Sequence, residues 1–154
     1  MNRPLQRAAR EHTPTHRIRA LKPLPNDARA QQVTRVVDAF RRLRGSLARF
    51  IRMFETERET PLPDDALSAM SLRELLATLE EAARAARFPH LRDLEQAIAQ
   101  ARGLERTRDD VFSDSFSNDP AAMQAAIVAL ERADVRFVAL CVESVMARHA
   151  AAPA

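Results

Sequence analysis

The longest regular pattern of apolar positions in the chain runs from Asn26 to about Arg58. Its apolar side chains recur at steps of three and four residues, a spacing that places them on one face of an α-helix. They are Val33, Val36, Phe40, Leu43, Leu47, Phe50 and Phe54. Asn26 is a suitable N-cap, and Asp27 complements the helix dipole in the first turn. The pattern predicts a long first helix, which Pro61 and Pro63 end.

Two shorter helices are predicted in the middle of the chain. Ser71 and Glu74 have the spacing of a capping box, which opens the second helix, and Pro89 stops that helix near Arg87. A third apolar pattern follows almost at once, over about 91–104. Because the break between them is so short, we expect these two helices to form an antiparallel hairpin or a sharp corner.

A fourth helix is predicted from the capping residue Asp119, with Pro120 at the first helical position, to about His149. One face carries Met123, Ile127, Leu130, Phe137, Val138, Cys141 and Val145, and an adjacent face carries Val128, Val135, Val142 and Met146. The second half is therefore apolar over most of its circumference, and we expect this helix to lie in the middle of the molecule. Phe137 should then be largely buried.

Composition favours an all-α protein with one folded domain. The 154 residues include only two glycines and neither tryptophan nor tyrosine, and β-branched residues are sparse outside two of the helical segments. Residues 1–25 contain four prolines and six basic side chains, which predicts a disordered, flexible basic arm. Residues 26–150 are predicted to form a single bundle of about four helices.

The single cysteine, Cys141, excludes an intrachain disulfide and agrees with a cytoplasmic location. No apolar run reaches the roughly 18 residues that cross a bilayer, so a membrane is not an expected partner. The high alanine and arginine content is typical of a GC-rich bacterial genome.

Charge is distributed unevenly along the chain. Residues 1–54 carry a net charge of +10 and residues 55–154 carry −7. This asymmetry indicates either that the two halves pair with each other or that an exposed basic end meets an anionic partner. Arginine forks match phosphate geometry, so the candidate nucleic-acid contacts on the first helix are Arg35, Arg41, Arg42, Arg49 and Arg52. No aromatic residue is interleaved with them, so stacking on single strands is not predicted.

Candidate catalytic residues are few. Asp134 falls inside the main apolar face of the fourth helix, where a lone carboxylate either pairs with an arginine or has its pKa raised. His12 and His16 are four residues apart, but Pro14 lies between them and a third ligand is missing. The chain contains no phosphate-binding loop, dinucleotide fingerprint, hydrolase motif or zinc spacing. We therefore predict no enzyme activity, no cofactor and no metal.

The leading hypothesis is a small non-enzymatic interaction or regulatory protein that binds another protein, or a second copy of itself, through helical surfaces. The apolar stripe of the first helix is longer than an internal core requires, so we expect its central side chains to anchor the partner. These anchors are Phe40, Leu43, Leu47, Phe50 and Phe54. The alternative is a nucleic-acid-binding regulator that uses the arginines of this helix and the arm. A weaker alternative is an enzyme built on Asp134.

Overall fold

The computed structural model describes residues 25–56 and 60–151. These residues fold as helices with no strand among them, which confirms the predicted all-α class. In chain order the elements are α1 (Pro25–Glu55), α2 (Asp64–Ala69), α3 (Leu72–Ala85), α4 (Leu91–Ala101), a 3₁₀ turn (Arg102–Glu105), α5 (Arg106–Asp110), α6 (Asp114–Ser117) and α7 (Pro120–Ala151). Four of them are long: α1, α3, α4 and α7. The predicted arm, apart from its last residue, lies outside the described residues.

α3 and α7 begin after the capping residues predicted for them, whereas α1 begins before its predicted cap. α1 begins at Pro25, two residues earlier than a cap at Asn26 predicts, because the N–H that proline lacks would have no acceptor in the first turn of a helix. At α3, the Ser71 hydroxyl accepts a hydrogen bond from the Glu74 N–H (3.2 Å), and the Glu74 carboxylate accepts one from the Ser71 N–H (2.7 Å). The bond from the Ser71 N–H, and to a smaller extent the Ser71 side chain, hold the pKa of the Glu74 carboxylate below its ordinary value. At α7, the Asp119 carboxylate accepts a bond from the Ala122 N–H (3.0 Å).

α3 ends in a left-handed residue. Arg87 has φ of 52° and is the only non-glycine residue with positive φ among those described. The Phe88 N–H donates to the Ala83 carbonyl at 2.9 Å, and the Arg87 N–H donates to the Arg84 carbonyl at 3.2 Å. This pattern satisfies the last carbonyls of the helix and normally favours glycine at the left-handed position. The chain reverses there without a glycine.

The reversal sends α4 back along α3. One Arg84 guanidinium nitrogen lies 2.6 Å from the Glu95 carboxylate, and further down the pair Arg102 lies 3.1 Å from Glu80. From the first pair to the second, the residue number falls on α3 (Arg84 to Glu80) and rises on the partner side (Glu95 to Arg102). The two helices are therefore antiparallel. The hairpin expected from the short break at Pro89 is confirmed.

α1 and α7 instead run in the same direction. Near the start of α1, Arg29 donates to the Ser117 hydroxyl just before α7 begins, and near its end the guanidinium of Arg148 lies 5.9 Å from the centroid of the Phe54 ring. The chain therefore returns to the same end of the molecule through α2 to α6 before α7 starts. Both long helices begin at one end.

The hydrophobic core lies between α1 and the helices α3, α4 and α7. An aromatic cluster marks its end near the close of α1. The Phe50 and Phe54 rings stack at 5.3 Å, and Phe88 meets them edge-on at 5.9 and 5.5 Å. Phe137 from α7 is 1% exposed, so its predicted burial is confirmed.

A buried carboxylate fixes the chain where it leaves α1. Glu55 is 3% exposed, and its two oxygens accept bonds from Arg52 at 2.9 Å and from the Leu62 N–H at 3.2 Å. Arg52 also donates to the Leu62 carbonyl and pairs with Asp64. These contacts tie the last turn of α1 to the segment that leads into α2.

The prediction that the last helix lies in the middle of the molecule is wrong. α7 buries one face, which includes Leu130, Phe137 and Leu140. Its second apolar face is open, and Val135 and Met146 are exposed by 67% and 64%. α1 and α4 cover α7 on two sides, and no other described element packs over the third.

Candidate functional site

The open face of α7 carries a row of exposed apolar side chains. Six large apolar side chains are exposed among the described residues, and five of them lie on this helix. The five are Val135, Val138, Val142, Val145 and Met146, and we call them the α7 stripe. Scattered exposed apolar residues are normal on a protein surface, whereas a contiguous patch usually marks an interaction site. The stripe is therefore the candidate functional site.

The spacing of the stripe explains how one helix carries two apolar faces. Val135 and Val142 are seven residues apart, Val138 and Val145 are also seven apart, and the two pairs alternate at steps of three and four. The buried residues of α7 follow the same steps, shifted so that they point to α1 and α4. α7 thus has one heptad pattern for the core and a second one facing outward.

Charged side chains border the stripe on both flanks. On the α1 side, Arg42 lies 4.0 Å from the Glu131 carboxylate, and Arg49 donates to the Ser46 hydroxyl at 2.9 Å. On the α4 side, a shallow depression of about 460 Å³ continues the apolar surface. Its lining consists of Val128, Glu131, Arg132, Val135, Arg136 and Ala139. The α7 stripe is therefore bordered by both acidic and basic side chains.

The predicted anchors on α1 lie in the core and not on the surface. Phe40, Leu43, Leu47, Phe50 and Phe54 are all buried in the core. The stripe of α1 is therefore taken up by packing within the chain, and a partner would reach it only if the helices separated. The exposed apolar face that sequence reasoning did not predict is on α7, where the apolar pattern had been assigned to the core.

The five predicted arginines do not share one surface. Arg52 is held by Glu55 and Asp64. Arg35, Arg42 and Arg49 lie on the α7 side of α1, whereas Arg41 borders the cleft beside α5. Arg35 and Arg41 are exposed, and neither forms an ion pair with another residue that the structure describes. The folded chain thus uses Arg52 structurally and divides the rest between two sides of α1.

Asp134 lies beside the core face of α7 and is partly buried. One of its carboxylate oxygens is buried without a hydrogen-bond partner among the described residues. The arginine pairing expected from the sequence does not form there. A carboxylate oxygen that is removed from water without a hydrogen-bond donor lowers the stability of the folded state.

Cys141 packs against the core and is partly buried. Burial raises the pKa of its thiol, and the charge of Arg49 opposes this rise. A thiol with a raised pKa carries little thiolate and reacts slowly. His12 and His16 lie outside the described residues, and within 25–56 and 60–151 no three histidine, cysteine or carboxylate side chains are close enough to hold a metal ion.

Two of the other clefts on the described surface lie beside arginines of α1. The larger, about 550 Å³, opens where α1 and α7 begin, and Arg29 partly fills it by contacting Ser117 and Asp114. A smaller one, about 280 Å³, lies between α1 and α5 beside Phe112, which is 83% exposed and near Arg41. No helix among the described residues is long and apolar enough to cross a membrane.

Comparison of the chain with protein-family models, with curated proteins and with solved structures found no match.

Proposed function

We propose that this chain is a non-enzymatic helical-bundle module that binds a protein through the α7 stripe. The observation that carries the proposal is the row of five exposed apolar side chains on one helix, four of them at heptad spacing. An amphipathic helix face of this kind is the usual contact in helix-in-groove and helix-face pairing. The function proposed from the sequence is kept, and its contact surface moves from α1 to α7.

The stripe suits a helical partner for a geometric reason. Its residues follow the helix axis over positions 135–146, a rise of about 16 Å at 1.5 Å per residue. Valine side chains are short and stiff, so an opposing helix can approach closely along the whole row. The charges on both flanks would form the polar rim that surrounds such contacts.

A position-specific crosslink tests this proposal. We would replace Val142 by a photoreactive amino acid in cells that naturally produce the protein, and place the same group at exposed Ala99 on α4 as the matched control. We expect a discrete crosslinked protein from position 142 and none from position 99. Equal labelling at both positions, or no crosslink at 142, would contradict the proposal.

Nucleic-acid binding is the second candidate function. Exposed Arg35 and Arg41 support it, because neither has an ion-pair partner in the part of the chain that the structure describes. Binding to duplex DNA through these side chains would weaken with salt, with log K falling by about 0.9 per neutralised phosphate for each decade of salt. Absence of retardation of random duplex or single strands at about 50 mM salt would exclude this candidate.

A further inference from the structure

We infer that the α7 stripe binds the same stripe of a second copy of this chain, with the two α7 helices antiparallel and Val138 facing Val142 of the second copy. The inference rests on the proposed function and names the occupant of its surface.

The heptad spacing makes the stripe complementary to itself. In an antiparallel pair that places Val138 opposite Val142, the same alignment places Val135 opposite Val145. Each valine of one copy then meets a valine of the other, and the contact is the same from both sides, as a twofold axis requires. Four apolar pairs follow from one register, because each of the two pairings occurs twice.

The charges at the two ends of the stripe select the antiparallel direction. Continuing the heptad outward reaches Glu131 at one end and His149 at the other. In the antiparallel register Glu131 faces His149 of the second copy, whose ring N–H can donate a hydrogen bond to the carboxylate. A parallel pair would instead place Glu131 opposite Glu131, and like charges opposite each other repel.

The remaining charges of the helix do not oppose pairing. Between positions 128 and 149, α7 carries three acidic and three basic side chains, which are Glu131, Arg132, Asp134, Arg136, Glu143 and Arg148. Two copies of this segment therefore meet without net repulsion. α1 adds Arg42 and Arg49 to the rim, and because both are exposed to solvent, dissolved salt screens their repulsion across the pair.

The area of the stripe sets the expected strength. Five partly exposed side chains offer an apolar surface on the order of a few hundred Å² per copy. With the flanking side chains, two copies would bury about 1,000 Å², which is near the lower limit for specific complexes. We therefore expect a reversible dimer with a dissociation constant of about 10–100 µM rather than a permanent one.

A charge exchange across the predicted pair is the decisive test. Val138→Lys and Val142→Glu each put a charge opposite an apolar valine, and each should weaken the dimer at least about tenfold, since an unpaired charge in an apolar contact is costly. The double variant puts the introduced lysine of one copy opposite the introduced glutamate of the other, twice per dimer. It should regain most of the lost affinity, and sedimentation equilibrium measures all three constants.

A matched control separates this contact from general stickiness. Phe112 is the sixth exposed large apolar residue and lies away from α7, so Phe112→Glu should leave the dimer constant within about twofold. Circular dichroism melting checks that each variant folds, which we expect because the substituted valines are 42% and 54% exposed.

Two results would overturn the inference. A wild-type protein that stays monomeric up to about 0.5 mM would exclude self-pairing, and failure of the double variant to recover would exclude the antiparallel register. The proposed function can hold when this inference fails. If position 142 crosslinks to a different protein in cells while the purified chain is monomeric, the stripe is an interaction surface with another occupant.

Discussion

The buried carboxylate at the end of α1 should be a main source of stability for the first half of the fold. Glu55→Ala removes the acceptor of the Leu62 N–H and one partner of Arg52. A hydrogen bond to a charged group contributes about 1.5–3 kcal/mol. The Arg52 side chain is 30% exposed and still pairs with Asp64 in the variant. The bond between Arg52 and Glu55 therefore contributes near the low end of this range. We expect a total loss of about 3 kcal/mol in the free energy of unfolding.

Urea unfolding followed by circular dichroism measures this loss, with the slope checked for two-state behaviour. Glu81→Ala is the matched control, because Glu81 is exposed on α3 and forms no ion pair with another described residue, and it should change stability by less than about 0.5 kcal/mol. In a cycle with Arg52→Met, the coupling should be about 1 kcal/mol. A Glu55→Ala midpoint equal to that of the control would refute the structural role of the carboxylate.

The remaining predictions concern packing and backbone and use the same unfolding measurement. Phe137→Ala should cost about 3–5 kcal/mol because the ring is 1% exposed; a loss below about 1 kcal/mol would contradict its place in the core. Gly45→Ala should stabilise by about 1 kcal/mol, because the added methyl group meets only Arg49 at 3.6 Å. Gly103→Ala, in the 3₁₀ turn, should gain less. Arg87→Gly should stabilise by about 0.5–1 kcal/mol by relieving the left-handed residue, whereas Arg87→Ala should not.

Local chemistry explains which features were predictable from the sequence. The capping box of Ser71 and Glu74, the cap at Asp119 and the reversal near Pro89 each depend on residues a few positions apart. Such signals act within one turn and are independent of what packs around them. The starts of α3 and α7 and the reversal after α3 follow from them directly.

The sequence did not predict which helices would cover each apolar face. Periodicity identifies which residues share a face, but not which element covers that face. The stripes of α1 and α7 look alike in the sequence, and Phe50 and Val142 sit in equivalent patterns. The fold covers the first with α3 and α7 and leaves the second open, and only the tertiary arrangement decides between them.

The same limit applies to the arginines of α1. Arg52 appears in the sequence as one more cation on the polar face, and Glu55 three residues later is a visible partner. The Leu62 carbonyl and Asp64 reach it only because the chain folds back after α1. A variant that changes all five candidate arginines would therefore lose stability as well as charge. A sound test of nucleic-acid binding changes Arg35 and Arg41 and leaves Arg52 in place.

The valines of the α7 stripe have an energetic consequence for the isolated chain. Valine is a poorer helix former than alanine by about 0.5 kcal/mol, because its branched side chain loses rotamer freedom against the preceding turn. Four exposed valines thus cost α7 roughly 2 kcal/mol of helix stability relative to alanine. Val36, buried in the core, offsets that cost by packing, whereas the stripe offsets it only when a second surface covers it. Val142→Ala should accordingly stabilise the monomer slightly and weaken the dimer, and opposite signs in the two measurements distinguish a contact surface from a core position.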